Sequence, residues 1–267
     1  MMDYLTYYGL SYEPFDKEQV QWIETIDSTE LMTRLNYLKQ ARGFGVVTGR
    51  SGVGKTYLIR QFLASLNTTL YKVCYVPLTT VSVADFYIQL SLGFGLEPCR
   101  YRAANFRQIQ ERIQTLYELE RVTPVIVIDE AQYLKNDVIH ELMLLTNFRL
   151  DAIKPCVVLL SGLPVLTQRL QRAEFEPFSQ RITTRYQVVG MEVAEVTRYI
   201  THQLKQAGVH DVLFPEPIIE TILSTTGFSL RRLNHVLTQC LMIGAVQKQR
   251  IITQEMVYAA NQEMSFL

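Results

Sequence analysis

The sequence predicts an α/β fold: a parallel five-stranded sheet with helices on both faces, followed by a small all-helical domain. Three observations carry this. Apolar, β-rich runs alternate with helix-period segments through the first two thirds of the 267 residues, the pattern of parallel strands joined by crossover helices. A glycine-rich loop, Gly49-Arg50-Ser51-Gly52-Val53-Gly54-Lys55-Thr56, joins the first of those runs to a helix. After Gly190 strand-like runs stop and only helical patterns follow.

In order, residues 44–48 read as a buried strand, 72–78, 124–129 and 155–161 repeat that character, and 185–189 makes a fifth run. The unbroken apolarity of Val125-Ile126-Val127-Ile128 fits a strand covered on both faces. Helical patterns over 55–66, 83–92, 105–120 and 137–151 fall between the runs. Beyond Gly190, segments 192–207, 216–226, 230–247 and 253–264 read as helices, separated by Gly208, Pro215, Pro217, Gly227 and a turn over 248–252. The division expected is an α/β domain over 1–190, with an N-terminal extension over 1–30, and a helical domain over 191–267.

At 48% hydrophobic residues the chain can bury a substantial core. Lysine plus arginine equals aspartate plus glutamate at 26 each, so no global field advertises a nucleic-acid or membrane partner. A local basic patch stays open. Cys74, Cys99, Cys156 and Cys240 are scattered without a C-x-x-C pair, which favours free thiols in a reducing compartment over disulfides or zinc. Met1-Met2-Asp3-Tyr4-Leu5 lacks the basic-then-apolar pattern of a secretory leader, and no apolar run approaches the ~18 residues of a membrane span. A soluble, cytoplasmic protein with no membrane partner is expected.

The loop matches G-x-x-x-x-G-K-[ST] in full and stands where that pattern has a mechanism, between strand and helix. Its glycines let the backbone of Gly49, Ser51, Gly52, Val53 and Gly54 curl until successive N–H groups point at a phosphate, and the helix N-terminus adds partial positive charge. Lys55 is placed to reach the β- and γ-phosphates, the Thr56 hydroxyl to ligate Mg²⁺, and Tyr57 to open the helix beside the nucleotide. Asp129-Glu130 closes a hydrophobic strand, which puts Asp129 on the metal side and Glu130 in position to polarise an attacking water. The run 156–160 ends at Ser161-Gly162. Ser161 could sense the γ-phosphate or orient water; a strand-ending turn residue accounts for it equally well. Either Arg181 or Arg185, just before the fifth strand, could reach across a subunit interface to the transition-state charge, and Arg231 and Arg232 could close onto a nucleotide from the helical domain. Solvated surface arginines are the plain alternative.

With these residues laid out, the chain resembles the AAA+ ATPases, and within them the ExeA-like group, which includes transposition regulators of the TnsC, TniB and MuB class. The resemblance begins at Tyr7-Tyr8-Gly9-Leu10 and Glu13-Pro14-Phe15 and runs through the phosphate loop, Asp129-Glu130-Ala131-Gln132 and Leu145-Thr146-Asn147-Phe148. Ser161-Gly162-Leu163-Pro164-Val165-Leu166, Gln180-Arg181-Ile182 and Gly227-Phe228-Ser229-Leu230-Arg231-Arg232-Leu233-Asn234 follow. It implies a five-stranded AAA+ domain with a helical lid, ATP and Mg²⁺ as cofactors, and ATP hydrolysis. It implies Ser161 as sensor 1, Arg181 ahead of Arg185 as the trans-acting finger, and Arg231 as the sensor-2 arginine. Two departures stand out: Leu230 replaces a proline common before the lid arginine, and Gly162-Leu163-Pro164 lacks the glutamine of a common Gly-Gln-Pro element.

The function implied first is a transposition regulator that oligomerises as a ring or helical filament on double-stranded target DNA in the ATP state. Such an assembly recruits or activates a transposase, with a target-selection protein as a further partner, and hydrolysis disassembles it. DNA contact would then fall on Thr79 and Thr80, or on Arg100, Arg102 and Arg107, where residues 98–112 hold four arginines against one acid, Glu111. A solvated helix face explains that arginine cluster as well. The second implied function is a secretion-assembly ATPase, expected to carry a membrane span and a periplasmic wall-binding part that a chain ending at Leu267 does not show. The third is a nucleotide-gated switch with little turnover. The base pocket is expected near Tyr12–Phe15 and the lid.

Overall fold

The computed structural model describes residues 3–16, 23–77, 79–149 and 152–264. Five strands, β1 (Gly43–Gly49), β2 (Tyr71–Val76), β3 (Thr123–Ile128), β4 (Val157–Gly162) and β5 (Ile182–Val188), form one parallel sheet in the order β2-β3-β4-β1-β5. The helices of the first part are α1 (Tyr4–Tyr8), α2 (Ile26–Ala41), α3 (Lys55–Ala64), α4 (Val83–Phe94), α5 (Arg102–Glu118), α6 (Asn136–Leu145), α7 (Pro164–Leu170) and α8 (Glu176–Gln180). Then come α9 (Val193–Gln206), α10 (Glu216–Thr226), α11 (Leu230–Gln247) and α12 (Gln254–Met264). The α/β class, the five parallel strands and the helical tail are as expected.

The chain divides into two compact units: Met1–Thr29 with Ser51–Gly54 and Val189–Leu267, and Glu30–Arg50 with Lys55–Val188. In the sheet unit β3 and β4 are buried along their whole length, whereas the edge strands β2 and β5 alternate between covered and open residues. One face packs Val46, Ile126, Ile128, Val158 and Leu160 against Phe86, Leu90, Ile113, Ile139 and Leu142 of the crossover helices. Leu31, Leu35 and Leu38 of α2, spaced to lie on one helix face, are fully buried as well.

In the other unit, α9 to α12 share a core with the N-terminal segment. Tyr8 and Leu10 are buried in it, and the Tyr8 hydroxyl donates to the Gln249 carbonyl at 3.0 Å. Phe15 packs against Tyr199 and Phe214, so it belongs to this core rather than to an open base pocket. The Tyr199 hydroxyl in turn donates to Asn234 at 2.8 Å, which explains the asparagine of the Arg-x-Leu-Asn element.

Several boundaries differ from the expected ones for local reasons. The fifth strand starts at Ile182, three residues early, because α8 ends at Gln180 and a register shift at Phe44/Gly45 brings Ile182 into pairing. The helix expected over 137–151 stops at Leu145, where the Thr146 hydroxyl folds back onto the Leu142 carbonyl at 2.8 Å; Asp151 lies outside the described residues. Leu78, the expected end of the second strand, also lies outside them. Helix α5 starts at Arg102 rather than 105, since the Asn105 amide is turned inward to bind both backbone groups of Cys99 at 2.7 and 2.8 Å instead of capping a helix. Among the described residues no helix is long and apolar enough to cross a membrane.

Candidate nucleotide site

The phosphate loop leaves the carboxyl end of β1, and α3 begins at Lys55. Gly52 and Gly54 hold φ of 79° and 102°, a region that residues with a Cβ adopt only at a cost, so the curl of the loop favours glycine there. The Lys55 ammonium is buried and donates to the carbonyls of Gly49 and Arg50, each at 2.9 Å. Those bonds offset the cost of enclosing a charge and pin the side chain along the loop. Val53 is buried and Ser51 exposed. The Gly52 carbonyl accepts from the Arg231 backbone N–H at 3.3 Å, and a Cβ on Gly52 would lie 2.2 Å from Oγ of Ser229, the residue that caps α11. The Arg231 side chain is exposed. Tyr57 is half-buried in the first turn of α3, and burial pushes its hydroxyl pKa up.

At the acid end of β3, the Thr56 hydroxyl donates to Asp129 Oδ2 at 2.9 Å. The other oxygen, Oδ1, accepts from the Glu130 backbone N–H at 2.9 Å. A hydroxyl and a carboxylate at that separation are hard oxygen donors that fit Mg²⁺, which keeps most of its shell for water and phosphate. Among the described residues no group of three or more His, Cys, Asp or Glu side chains suited to a metal occurs.

Glu130 is exposed, yet its backbone is left-handed, with φ 51° and ψ 36°. Its carbonyl accepts from the Thr79 hydroxyl at 3.3 Å and its carboxylate from the Gln132 amide at 2.6 Å. Burial raises the Tyr75 pKa, and the negative charges of Asp129 and Glu130 raise it further. Ser161 stands level with Val47 in the β1–β4 register and one step beyond the Ile128–Leu160 pair, hence at the level of Asp129. It is fully buried, and its hydroxyl has no hydrogen-bond partner. Buried orphans of this kind are uncommon and ask for a reason. Strand β4 lies between β1 and β3, so Ser161 sits between the strands that bear the loop and the acids.

The remaining candidates are spread more widely. Arg181 is half-buried and donates to the Met143 carbonyl at 3.1 Å, while the exposed Arg185 holds the Ser179 carbonyl and hydroxyl at 3.0 and 2.6 Å. Thr79 is buried, its hydroxyl committed to Glu130, which leaves Thr80 as the exposed member of that pair. Arg102 is bound to Glu141 at 3.2 Å, a nearly buried carboxylate that also accepts from Tyr87 at 2.7 Å. Burial first, and then this bond, push the Tyr87 pKa up. Arg100 lies over the Tyr101 ring, and Arg107 is exposed.

A phosphate loop on β1, a Thr–Asp oxygen pair, a following glutamate and the strand order β2-β3-β4-β1-β5 define a P-loop ATPase. Residues 38–170 match the AAA domain family. Those residues carry the domain, and the chain is similar to the AAA+ ATPases. General secretion pathway protein A of Aeromonas hydrophila is 27% identical over 98% of this chain and 48% of its own length. ATP-dependent target DNA activator B of Escherichia phage D108 is 24% identical over 88% of this chain and 70% of its own. Among solved structures, Cdc6p from Pyrobaculum aerophilum superposes with a TM-score of 0.68 over 94% of this chain and 70% of that one; at 15% identity this likeness concerns the fold. The chain spans about half the length of the secretion relative.

Sequence reasoning passed over Gln132. Its signal was present in Asp129-Glu130-Ala131-Gln132, an amide two residues after the glutamate, but nothing in that spacing shows which way the amide turns.

Proposed function

We propose that this ATPase is a DNA transposition regulator: it oligomerises on double-stranded target DNA in the ATP state, recruits or activates a transposase, and disassembles on hydrolysis. The observation that carries this reading is the coexistence of an ATP site with likeness, over 88% of the chain, to a protein named as an ATP-dependent target DNA activator. In our reading residues 1–190 act as the AAA+ domain and 191–267 as its lid.

Lys55 exchanges the loop carbonyls for β- and γ-phosphate oxygens when ATP arrives, so the bonds that hold it along the loop place its charge in advance. Thr56 and Asp129 would hold Mg²⁺, which neutralises charge on the phosphates. Glu130 takes the proton of the attacking water, and the Ser161 hydroxyl finds its partner in that water or in the γ-phosphate. Arg181 or Arg185, supplied by a neighbouring subunit, neutralises the transferring phosphoryl group and so makes hydrolysis depend on assembly. Arg231 keeps the sensor-2 role that the family resemblance implies for it. DNA phosphates meet exposed groups, for which Arg100, Arg107 and Thr80 are open.

The longer match to the secretion protein favours a second reading, an ATPase of secretion assembly. Because the chain spans 48% of that relative, its end at Leu267 does not separate the two. Negative-stain microscopy and co-sedimentation with duplex DNA do. ATP or a non-hydrolysable analogue is expected to give rings or filaments on DNA that ADP does not support. No association with DNA at low salt under any nucleotide overturns the transposition reading.

A further inference from the structure

We propose that Gln132 is a positioning residue for hydrolysis, its side-chain amide fixing the Glu130 carboxylate against the end of β4. The inference rests on the reading of Glu130 as the base. Gln132 Nε2 donates to Glu130 Oε2 at 2.6 Å, and Gln132 Oε1 accepts from the Leu163 backbone N–H at 3.0 Å. These partners determine which way the amide points. A carboxylate can only accept and an N–H can only donate, so a flipped amide would meet repulsion at both ends. The Gln132 backbone is held as well: its carbonyl accepts from Arg169 at 3.3 Å, and Arg169 also binds Asn136.

The strand tip is shaped around this amide. A Cβ on Gly162 would lie 2.6 Å from Gln132 Oε1 and 3.2 Å from Leu166, so a larger residue there displaces the glutamine. Gly162 separates Ser161 from Leu163. The bridge therefore ties an exposed glutamate, whose side chain is otherwise free to rotate, to the segment that carries the buried Ser161 hydroxyl. Holding a base within a fraction of an ångström matters because a displacement of about 1 Å can cost on the order of 100-fold in rate.

The test measures steady-state phosphate release with Mg–ATP, with and without duplex DNA, alongside ATP affinity and unfolding midpoint. Gln132→Met keeps the length and loses both polar ends. It is expected to lower kcat by about 10-fold or more, with KM, ATP affinity and melting little changed. Gln132→Glu keeps an acceptor for Leu163 but sets a like charge against Glu130, and should fall similarly. Gly162→Ala should reproduce the loss by crowding the amide, yet add less to Gln132→Ala, where the nearest atom is gone and only the approaches to Leu166 at 3.2 Å and the Gln132 backbone nitrogen at 3.3 Å remain. A Gln132→Met enzyme with native kcat, where Glu130→Gln is dead, overturns this proposal alone. Native turnover in Glu130→Gln overturns the base assignment and the proposal with it. Loss of ATP affinity and melting temperature in step with kcat makes Gln132 a packing residue and equally overturns it.

Discussion

Glu130 holds a backbone conformation that disfavours any residue with a Cβ by about 1–2 kcal/mol. Strain of this kind survives where neighbours over-determine it, here Asp129 on the Glu130 N–H and Thr79 on its carbonyl. The turn aims the first residue after Asp129 out of the strand direction, which is what a base beside a metal-side carboxylate requires. Two substitutions separate strain from chemistry. Glu130→Gln should retain ATP binding and lower turnover on the order of 100-fold or more, the usual contribution of a general base. Glu130→Gly should lose turnover too, yet raise unfolding stability by about 0.5–1 kcal/mol once the greater freedom of glycine in the unfolded chain is set against the relieved strain. Phosphate release and denaturant unfolding report the two effects. A Gly variant less stable than the parent would show that the side-chain bond to Gln132 outweighs the strain.

At the scale of elements, the C-terminus of α6 shows how a residue chosen for one role can already hold another. The last four carbonyls of a helix lack partners within it. In α6 they find Thr146 at Leu142, Arg181 at Met143, and Gln110 at Leu144 and Leu145. A cation there also meets the negative end of the helix dipole. Arg181→Ala should therefore cost about 1 kcal/mol of stability whatever its effect on turnover. Arg185→Ala should lower melting less, because its bonds to Ser179 are exposed to water. If Arg185 is the trans finger, its removal lowers turnover at unaltered ATP affinity, and turnover that survives this change places the role on Arg181. Such a double duty is hidden in the sequence, where Arg181 and Arg185 differ only in their distance from a strand. What was legible followed from continuous burial: β3 and β4 are apolar at every position, so their extents fell within a residue or two of expectation. Strand β5, an edge strand with Thr183, Arg185 and Gln187 interleaved, has no such signature and was read three residues short. Helix α2 escaped notice because only Leu31, Leu35 and Leu38 mark its buried face amid polar residues. In the site, the loop and the acids were legible because their chemistry demands fixed spacing, and the Gln132 bridge was not because it depends on where β4 ends.

At the scale of the whole chain, two hydrophobic cores store the folding free energy separately, one around the sheet and one that joins Tyr8, Leu10 and Phe15 to the C-terminal helices. No local pattern reveals which distant core an N-terminal tyrosine will join. Nucleotide binding is readable by calorimetry through the sheet unit, which holds Lys55, Thr56 and Asp129. A ligand that binds only the native state adds about 2.7 kcal/mol of stability at 100 times its Kd. A unit of this size gains roughly 2–4 °C per kcal/mol, so Mg–ATP at that excess should raise its melting temperature by about 5–10 °C. Lys55→Ala removes the ammonium meant for the phosphates and should abolish most of that shift. It should also lower the melting point without ligand, because the Gly49 and Arg50 carbonyls lose their donor. Thr56→Ala should leave the response to ATP without Mg²⁺ in place and erase the further gain on adding the metal. Glu130→Gln should keep the whole shift, since a base acts on water rather than on the bound ground state. An undiminished shift in Lys55→Ala would move the phosphates away from this loop, and an undiminished metal effect in Thr56→Ala would move Mg²⁺ away from the Thr56–Asp129 pair.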